Sequence, residues 1–314
     1  MNDSTSQSEN NSRAAAFILR PGTVEDSYAV FQVFEQTLAD LSRRLGSTTP
    51  TSWQDPDALD LMWRERRSLY EHLAATAEHF WIAERDGRPL AFARSVLRDG
   101  LRQLTELFVV PGEQSSGMGS ELLKRVFPGD GTIRRSLIAT PDTRAQTLYV
   151  KAGVYPRFPV CYFGRQPELV TVKSDLSFEP IIASVEYLDH LASIDLALLG
   201  HRRQVDHIWL LGNRQGYLYR RNEQPVGFGY VGLRNGPFGL LDADDFPAVL
   251  AHSESEAARH KREFGVEVPM INKTAVDYLL DRGCRIDGFL AMFMSDEPFG
   301  RFENYIVTSP PFFL

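Results

Sequence analysis

The chain has 314 residues, 43% of them hydrophobic, which is enough for two domains of ordinary size that each bury a core. Its net charge of -7 argues against broad electrostatic binding to nucleic acid or anionic lipid, and no apolar run approaches the length that crosses a bilayer. We therefore expect a globular protein with no nucleic-acid partner and no membrane partner. The first residues lack the basic and apolar regions of a secretory signal, which predicts a cytoplasmic location.

The first third of the chain reads as a tail, a strand and two helices. Residues 1–15 are polar and are expected to be disordered. Residues 17–23 fit a strand, and residues 24–45 and about 57–78 carry apolar side chains at helical spacing. The segment 45–56, which includes Trp53, interrupts the two helices.

Antiparallel strands follow. Residues 79–97 read as two strands joined by a turn at Asp86 and Gly87, a strong hairpin signal. A fourth strand is predicted at 101–110 and a fifth at 133–140. The helix after it ends at Gly153, which occupies the position of a C-terminal cap. Because this meander calls for antiparallel pairing, a doubly wound parallel fold fits less well.

The segment LFVVPGEQSSGMGSELL, residues 107–123, places two glycines at the entrance to a helix. Pro111 and Gly112 end the strand before it, and the apolar side chains after Ser120 recur at helical spacing. Glycine lowers the stability of a helix. Glycines at a helix entrance are therefore often present because the backbone there has a positive φ or because another backbone approaches closely. A strand, a glycine turn and a helix N-terminus suit an anion, although an ordinary turn has the same outline.

The full spacing V-x-P-x-x-Q-x-x-G-x-G, formed by Val109, Pro111, Gln114, Gly117 and Gly119, resembles the acyl-CoA-binding signature of the GNAT superfamily of N-acetyltransferases. The order of predicted elements over residues 17–165 is similar to that of one GNAT domain. The resemblance implies an α/β (α+β) fold in which a mixed central sheet, flanked by helices, parts beside the fourth strand. It also implies that acetyl-CoA enters that gap as the acyl donor.

The resemblance also implies which residues bind the cofactor. The main chain of the fourth strand would pair with the pantetheine arm like an added strand, and backbone N–H groups of the loop would hold the pyrophosphate. Asp142 stands where the family commonly has an asparagine that contacts the cofactor. The implied cofactor-binding residues are Leu107, Phe108, Val109, Gln114, Ser115, Ser116, Gly117, Met118, Gly119, Ser120 and Asp142.

Two catalytic residues are implied in the same way. Tyr149, in TLYVKAG, matches the family tyrosine that often protonates the leaving thiolate, and Val154 replaces the usual phenylalanine after Gly153. A core tyrosine with its hydroxyl at the rim is the alternative. Glu106 precedes the cofactor-binding strand residues and is the candidate base, with an exposed strand glutamate as the alternative.

The second half resembles a duplication of the first. Residues 187–200 resemble a first helix, 216–233 a hairpin with Asn222 and Glu223 in its turn, and 266–284 a strand, turn, helix and glycine. We predict a tandem arrangement of a GNAT domain at 16–170 and a degenerate GNAT-like domain at 176–314. The second lacks the glycine loop and has Asp242, Asp244 and Asp245 there, which would repel a pyrophosphate.

Other features bear on cofactors and partners. Cys161 and Cys284 lack a CxxC partner, so buried thiols are expected. His72 and His79, both assigned to the second helix, lack a third ligand, so no metal is predicted. The leading function is N-acetyl transfer to an amine of a small molecule or a peptide. A non-catalytic acyl-CoA sensor and a ligand-free scaffold are the alternatives. The acceptor is unassigned, and a homodimer stays open.

Overall fold

The computed structural model of the chain describes residues 17–46, 53–114, 116–129, 131 and 133–314. The predicted tail at 1–15 and residues 47–52 of the segment between the first two predicted helices lie outside the described residues. The described residues form a mixed α/β structure with a mixed central sheet and flanking helices, as the sequence predicts.

The helices and strands are numbered in chain order. The helices are α1 (Ser27–Arg44), α2 (Pro56–Ala75), α3 (Met118–Val126), α4 (Thr143–Lys151), α5 (Val185–Leu199), α6 (Gln204–Asn213), α7 (Phe246–Arg259) and α8 (Lys273–Asp281). The strands are β1 (Ile18–Pro21), β2 (Ala77–Arg85), β3 (Arg88–Arg98), β4 (Leu101–Val109), β5 (Arg134–Ala139), β6 (Tyr155–Arg165), β7 (Ser177–Pro180), β8 (Gln215–Arg221), β9 (Gln224–Val231), β10 (Phe238–Leu240), β11 (Phe264–Pro269), β12 (Arg285–Ser295) and β13 (Tyr305–Ile306).

The chain forms two compact units whose boundary runs through β3 and β4. The first unit holds the described residues up to Arg94 together with Leu107–Val126, and the second holds Ser95–Glu106 and Phe127–Leu314. These bounds do not follow the predicted division at residues 170–176. The division into a domain at 16–170 and a second domain at 176–314 stays a prediction.

In the first unit the strands lie in the order β1-β2-β3-β4, with β1 antiparallel to β2. The hairpin turn between β2 and β3 is confirmed, since Asp86 and Gly87 both have positive φ, at 53° and 73°. Helices α1 and α2 pack together, and α3 packs against β2. Arg94 is fully buried, and its guanidinium lies over the rings of Phe80 and Phe92 at 5.0 and 5.6 Å.

The second helix is shorter than predicted. Its start is capped by Asp55, whose carboxylate accepts from the Asp57 and Ala58 N–H groups. It ends at Ala75. The N–H and the hydroxyl of Thr76 both donate hydrogen bonds to the His72 carbonyl oxygen. Strand β2 begins at Ala77, so the placement of His79 on this helix is wrong. The apolar and aromatic residues that follow favour a strand.

The second unit contains a sheet in the order β3-β4-β5-β12-β6-β11. Strands β4 and β5 are parallel, whereas β12 is antiparallel to both β5 and β6, and β11 is antiparallel to β6. A further sheet has the order β13-β10-β9-β8-β7. Helices α7 and α8 bury their apolar faces in a core with these strands, around Phe246, Val266 and Leu279.

The two predicted repeats exchange strands within this unit. Strand β12, from the second repeat, lies between β5 and β6 of the first. In the same way β6, from the first repeat, lies between β11 and β12 of the second. Each repeat therefore completes the sheet of the other through backbone hydrogen bonds.

The predicted elements of the second half are present. Helix α5 ends at Gly200, which has a φ of +75°, and Asn222 and Glu223 form the turn between β8 and β9 with φ values of 49° and 66°. Strand β11 and helix α8 follow as the sequence indicates, and Gly283 has a φ of +76°. None of the described helices combines the length and the apolar character that a membrane span needs.

Candidate functional site

The fourth and fifth strands part where the resemblance implies a gap. Strand β4 pairs with β5 from Leu101 opposite Arg134 to Leu104 opposite Leu137. Strand β5 then continues to Ala139, where its partner is β12. Strand β4 also continues, through Thr105 and Glu106. The pairing therefore ends while both strands go on, at the place where the resemblance implies a gap.

The loop after β4 is held by its own side chains. The Gln114 amide donates to the Val109 carbonyl at 3.3 Å, and the Ser116 hydroxyl donates to the Glu113 carbonyl at 2.6 Å. Glu113 also accepts two hydrogen bonds from the Arg85 guanidinium, at 2.7 and 3.1 Å. Gln114 thus braces the loop through its side chain. Ser115, a predicted pyrophosphate contact, lies outside the described residues.

The end of β4 also receives a hydrogen bond from α1. The Thr37 hydroxyl lies 3.3 Å from the Val109 carbonyl oxygen and 2.7 Å from the Val33 carbonyl oxygen. With Gln114, two side chains thus contact the oxygen of Val109. Sequence reasoning missed both Thr37 and the ion pair of Arg85 with Glu113, because nothing in local periodicity links residues 28 or 72 positions apart.

The glycine turn leads directly into α3. Gly117 has a φ of +90°, and a Cβ atom there would meet nothing within 4 Å, so backbone conformation and not crowding requires glycine. The first helical hydrogen bond runs from the Glu121 N–H to the Gly117 carbonyl at 3.1 Å. The N–H groups of Met118, Gly119 and Ser120 therefore lack helical acceptors, which is the usual property of a helix N-terminus. Together with the positive end of the helix dipole they form a site suited to an anion.

Met118 and Gly119 contribute to this turn in different ways. The Met118 side chain is fully buried with Leu122 and Val126, so it anchors α3 and only its main chain is available to a ligand. Gly119 lies in the first turn of the helix, which begins at Met118, two residues before Ser120. Helix α3 therefore begins at the glycines and not after them.

Glu106 is buried, with 2% of its surface exposed, and belongs to a stretch of β4 from Leu101 to Glu106 that is buried throughout. The alternative of an exposed strand glutamate is therefore wrong. Glu106 lies two residues beyond the last β4 residue that pairs with β5, and its role as a base stays a prediction.

Tyr149 is also buried, with 6% of its surface exposed on α4. Burial raises the pKa of its phenol well above the ordinary value, and the negative charge of Asp142 raises it further. The phenol therefore keeps its proton at neutral pH, as a general acid must before it donates. Its burial fits a core residue equally well, so the catalytic assignment stays a prediction.

Asp142 has a local structural role. Its carboxylate caps α4 by accepting from the Arg144 N–H at 2.9 Å, and it pairs with the Arg144 guanidinium at 2.8 Å. An aspartate at a helix N-cap commonly contributes about 1 kcal/mol to stability. These contacts explain an acidic residue here, and the predicted contact with the cofactor stays a prediction.

The second repeat has a different structure at the corresponding strand end. Asp242 accepts from the Asp244 N–H at 3.0 Å, and Asp245 pairs with Arg221 at 2.6 Å, immediately before α7. The segment after Asn304 fills the space between β10 and β11. Tyr305 and Ile306 pair with Gly239 and Phe238 of β10, and Val307 bridges to Glu267 of β11.

The described residues contain no group of three or more His, Cys, Asp or Glu side chains arranged to hold a metal ion. Cys161 and Cys284 are both buried, as expected, and burial raises the pKa of each thiol. Neither cysteine therefore has the electropositive, accessible surroundings that activate a thiolate.

Comparisons with known proteins agree with this geometry. Residues 76–154, about a quarter of the chain, match the family model described as an acetyltransferase (GNAT) domain. The matched segment spans β2 to α4, so it includes Glu106, the glycine turn and Tyr149. No curated protein matches the chain.

Solved structures share the fold at low sequence identity. A Pyrococcus horikoshii protein, provisionally described as an acetyltransferase, has a TM-score of 0.69 and 14% identity over 95% of this chain and 96% of that one. A GCN5-related N-acetyltransferase from Sphaerobacter thermophilus has a TM-score of 0.56 and 12% identity over 90% and 96%. A tandem GNAT protein from the clavulanic acid biosynthesis pathway has a TM-score of 0.53 and 14% identity over 90% and 99%. The chain thus has the fold of solved acetyltransferases, and its residues 76–154 match the GNAT acetyltransferase domain.

Proposed function

We propose that this protein is an acetyl-CoA-dependent N-acetyltransferase that acts on an amine of a small molecule or a peptide. The observation that carries the proposal is the glycine turn at Gly117, which delivers three N–H groups without helical acceptors at the start of α3 directly after β4. It lies within the segment that matches the acetyltransferase domain.

The donor would be held by main-chain groups. The N–H groups of residues 115–120 would bind the pyrophosphate, and the edge of β4 at Leu107, Phe108 and Val109 would pair with the pantetheine amides. The Val109 carbonyl already accepts from Gln114 and Thr37. We therefore assign most of this pairing to Leu107 and Phe108.

Two side chains would move protons during transfer. The amine nitrogen attacks the thioester carbon, and the C–S bond breaks as the new C–N bond completes. Glu106, directly or through water, would take the proton from the amine, and Tyr149 would give its proton to the departing thiolate. The phenol of Tyr149 is protonated at neutral pH, as the second assignment requires.

We further propose that the second predicted repeat binds no acetyl-CoA of its own. Asp242 and Asp245 bring negative charge to the start of α7, and Tyr305–Ile306 with Val307 occupy the space between β10 and β11. Both observations support a degenerate repeat in a tandem arrangement. From charge and composition we expect a cytoplasmic enzyme without nucleic-acid or membrane partners.

A second candidate function is a non-catalytic acyl-CoA sensor. The test is thiol release from acetyl-CoA, followed with a thiol-reactive dye across a panel of small amines, amino-acid amides and peptides. Amine-dependent release, with acetylated product found by mass spectrometry, would support the transferase. Saturable binding of acetyl-CoA without release by any amine would favour the sensor.

A further inference from the structure

Helix α2 carries three arginines that differ in their surroundings. The Arg64 and Arg67 side chains are 75% and 64% exposed, and they pair with Asp60 and Glu71 of the same helix. Both belong to a solvated helix face, where such pairs contribute little to stability. The Arg66 side chain is only 18% exposed. Arg66 is therefore the one arginine of this helix that is held against the rest of the first unit.

Arg66 lies on the apolar face of α2. Leu59, Tyr70 and Leu73 are at helical spacing from it, and all three are buried. A cation in such a position loses much of its hydration and requires a partner. The sequence therefore places a charge where a hydrophobic residue would pack α2 against its neighbours more simply.

The partner of Arg66 is a buried carboxylate on α1. The Nη1 of Arg66 donates to Oε1 of Glu35 at 2.8 Å, and the Glu35 side chain is 4% exposed. Among the described residues Glu35 is the only hydrogen-bond partner of the Arg66 side chain, so the guanidinium keeps further N–H donors for another acceptor. A buried ion pair is by itself a weak source of stability, because desolvation of both charges offsets their attraction.

The guanidinium is close to the strand that is proposed to hold the donor. Its central carbon lies 5.6 Å from the centre of the Phe34 ring, and that ring makes an edge contact with the Phe108 ring at 4.9 Å. One turn further along α1, the Thr37 hydroxyl contacts the Val109 carbonyl oxygen at 3.3 Å. Helix α1 therefore lies along β4 at residues 108–109, and a single ring separates Arg66 from Phe108. All these residues belong to the first unit.

We infer that Arg66 binds a carboxylate group of the acceptor, so that the acceptors of this protein are amines that also carry a carboxylate, such as amino acids. This inference rests on the proposed function and adds a substrate class to it. Its chemical basis is the planar fork of N–H donors in a guanidinium, which matches the two oxygens of a carboxylate. Glu35 acts as a positioning residue, because its hydrogen bond fixes the orientation of that fork.

The test uses glycine, 3-aminopropanoate and 4-aminobutanoate, each paired with its own amide. Each amide keeps the size of its partner but lacks the negative charge, and the series varies the distance between the amine and the carboxylate. For the pair that contains the best acceptor, the ratio of kcat/KM for the acid to kcat/KM for the amide should fall about tenfold or more in Arg66→Gln. The same two amines are compared in each protein, so the difference between their own pKa values cancels.

Two further variants separate recognition from a role in the fold. Arg66→Lys keeps the charge beside Glu35 but lacks the fork, and its ratio should lie between those of Arg66→Gln and the wild type. The double variant Glu35→Gln with Arg66→Gln leaves no unpaired buried charge and should show the same low ratio as Arg66→Gln. Arg67→Gln, on the exposed face of the same helix, is the matched control and should keep the wild-type ratio.

The outcomes distinguish this inference from the function on which it rests. A wild-type protein that transfers acetyl groups to no amine contradicts the proposed function itself. An active wild type that acetylates only amines without a carboxylate overturns the inference. A ratio that stays at the wild-type value in the folded double variant also overturns it, even if that variant loses activity equally toward the acid and the amide.

Discussion

The main-chain N–H of Val307 donates to the carbonyl of Glu267 at 3.2 Å, which joins the segment after Asn304 to β11. On its other side the same segment pairs with β10. Val307, Tyr305 and Ile306 are fully buried. A stretch of this chain therefore occupies the place between the two strands where a second donor would have to enter.

We expect each full-length chain to bind one acetyl-CoA. Opening a second site would require removing a buried, hydrogen-bonded segment from between β10 and β11. Titration calorimetry on the full chain measures the number of sites. A stoichiometry of two would show that the second repeat still binds the donor.

Gly119→Asp should abolish that single site. The substitution adds a side chain and a negative charge at the first turn of α3, next to the proposed pyrophosphate position. We expect at least a 100-fold rise in the Kd for acetyl-CoA, with an unchanged circular dichroism spectrum. Gly119→Asn is the matched variant, because it adds nearly the same bulk without charge and should weaken binding less. Wild-type affinity in a folded Gly119→Asp protein would contradict the assignment of the pyrophosphate site to residues 116–120.

Glu106→Gln should lower turnover at neutral pH without changing donor affinity. The amide keeps the size of the buried side chain but cannot accept a proton from the amine. The deficit should shrink as pH rises, since a larger fraction of the amine is already deprotonated. We would follow kcat/KM from pH 6.5 to 9.5. A loss that is constant over that range would point to a structural role for Glu106.

Tyr149→Phe should reduce kcat on the order of 100-fold and leave the KM for acetyl-CoA nearly unchanged, as expected when a general acid is removed. The matched measurement uses a donor whose thiol has a lower pKa, because its thiolate leaves with less help from a proton. The mutant should recover part of the lost rate with that donor. Equal kcat values for Tyr149→Phe and the wild type would contradict the role as a general acid and leave Tyr149 as a core residue.

His201 should make the protein less stable as pH falls from about 6.5 to about 4. The side chain is 1% exposed, and burial lowers its pKa to about 4, while the charge of Asp195 partly opposes the shift and that of Arg203 adds to it. Below about pH 6.5 His201 binds a proton in the unfolded chain but not in the folded chain. The free energy of unfolding therefore falls as the pH is lowered from about 6.5 to about 4. The loss from this group is at most about 3 kcal/mol.

Urea unfolding at pH 7.0 and 4.5 would measure this loss. His201→Gln should show a smaller decrease between the two values than the wild type, because glutamine does not titrate. His260→Gln, a change at an exposed histidine of the same unit, is the control. If His201→Gln loses as much stability on acidification as the wild type, His201 does not carry the effect.

The sequence by itself determined the local structure and the position of the candidate site. Asp86 with Gly87 specified one hairpin and Asn222 indicated a second, since aspartate, asparagine and glycine tolerate the positive φ that such turns need. Gly153 marked the end of α4 in the same way. The glycine spacing and the helical period after it located the turn into α3. These features depend on residues that are close together in the chain, so the local sequence is enough to predict them.

Only the tertiary structure decided which strands pair. Strand β12 lies between β5 and β6 of the first predicted repeat, and β6 lies between β11 and β12 of the second. Three other contacts also join residues far apart in the chain. They are the bridge between Val307 and Glu267, the contact of Thr37 with the Val109 carbonyl, and the ion pair of Arg85 with Glu113. A strand's period of two fixes which face is buried but leaves its partner open, and that choice follows from burial and hydrogen bonding over the whole chain.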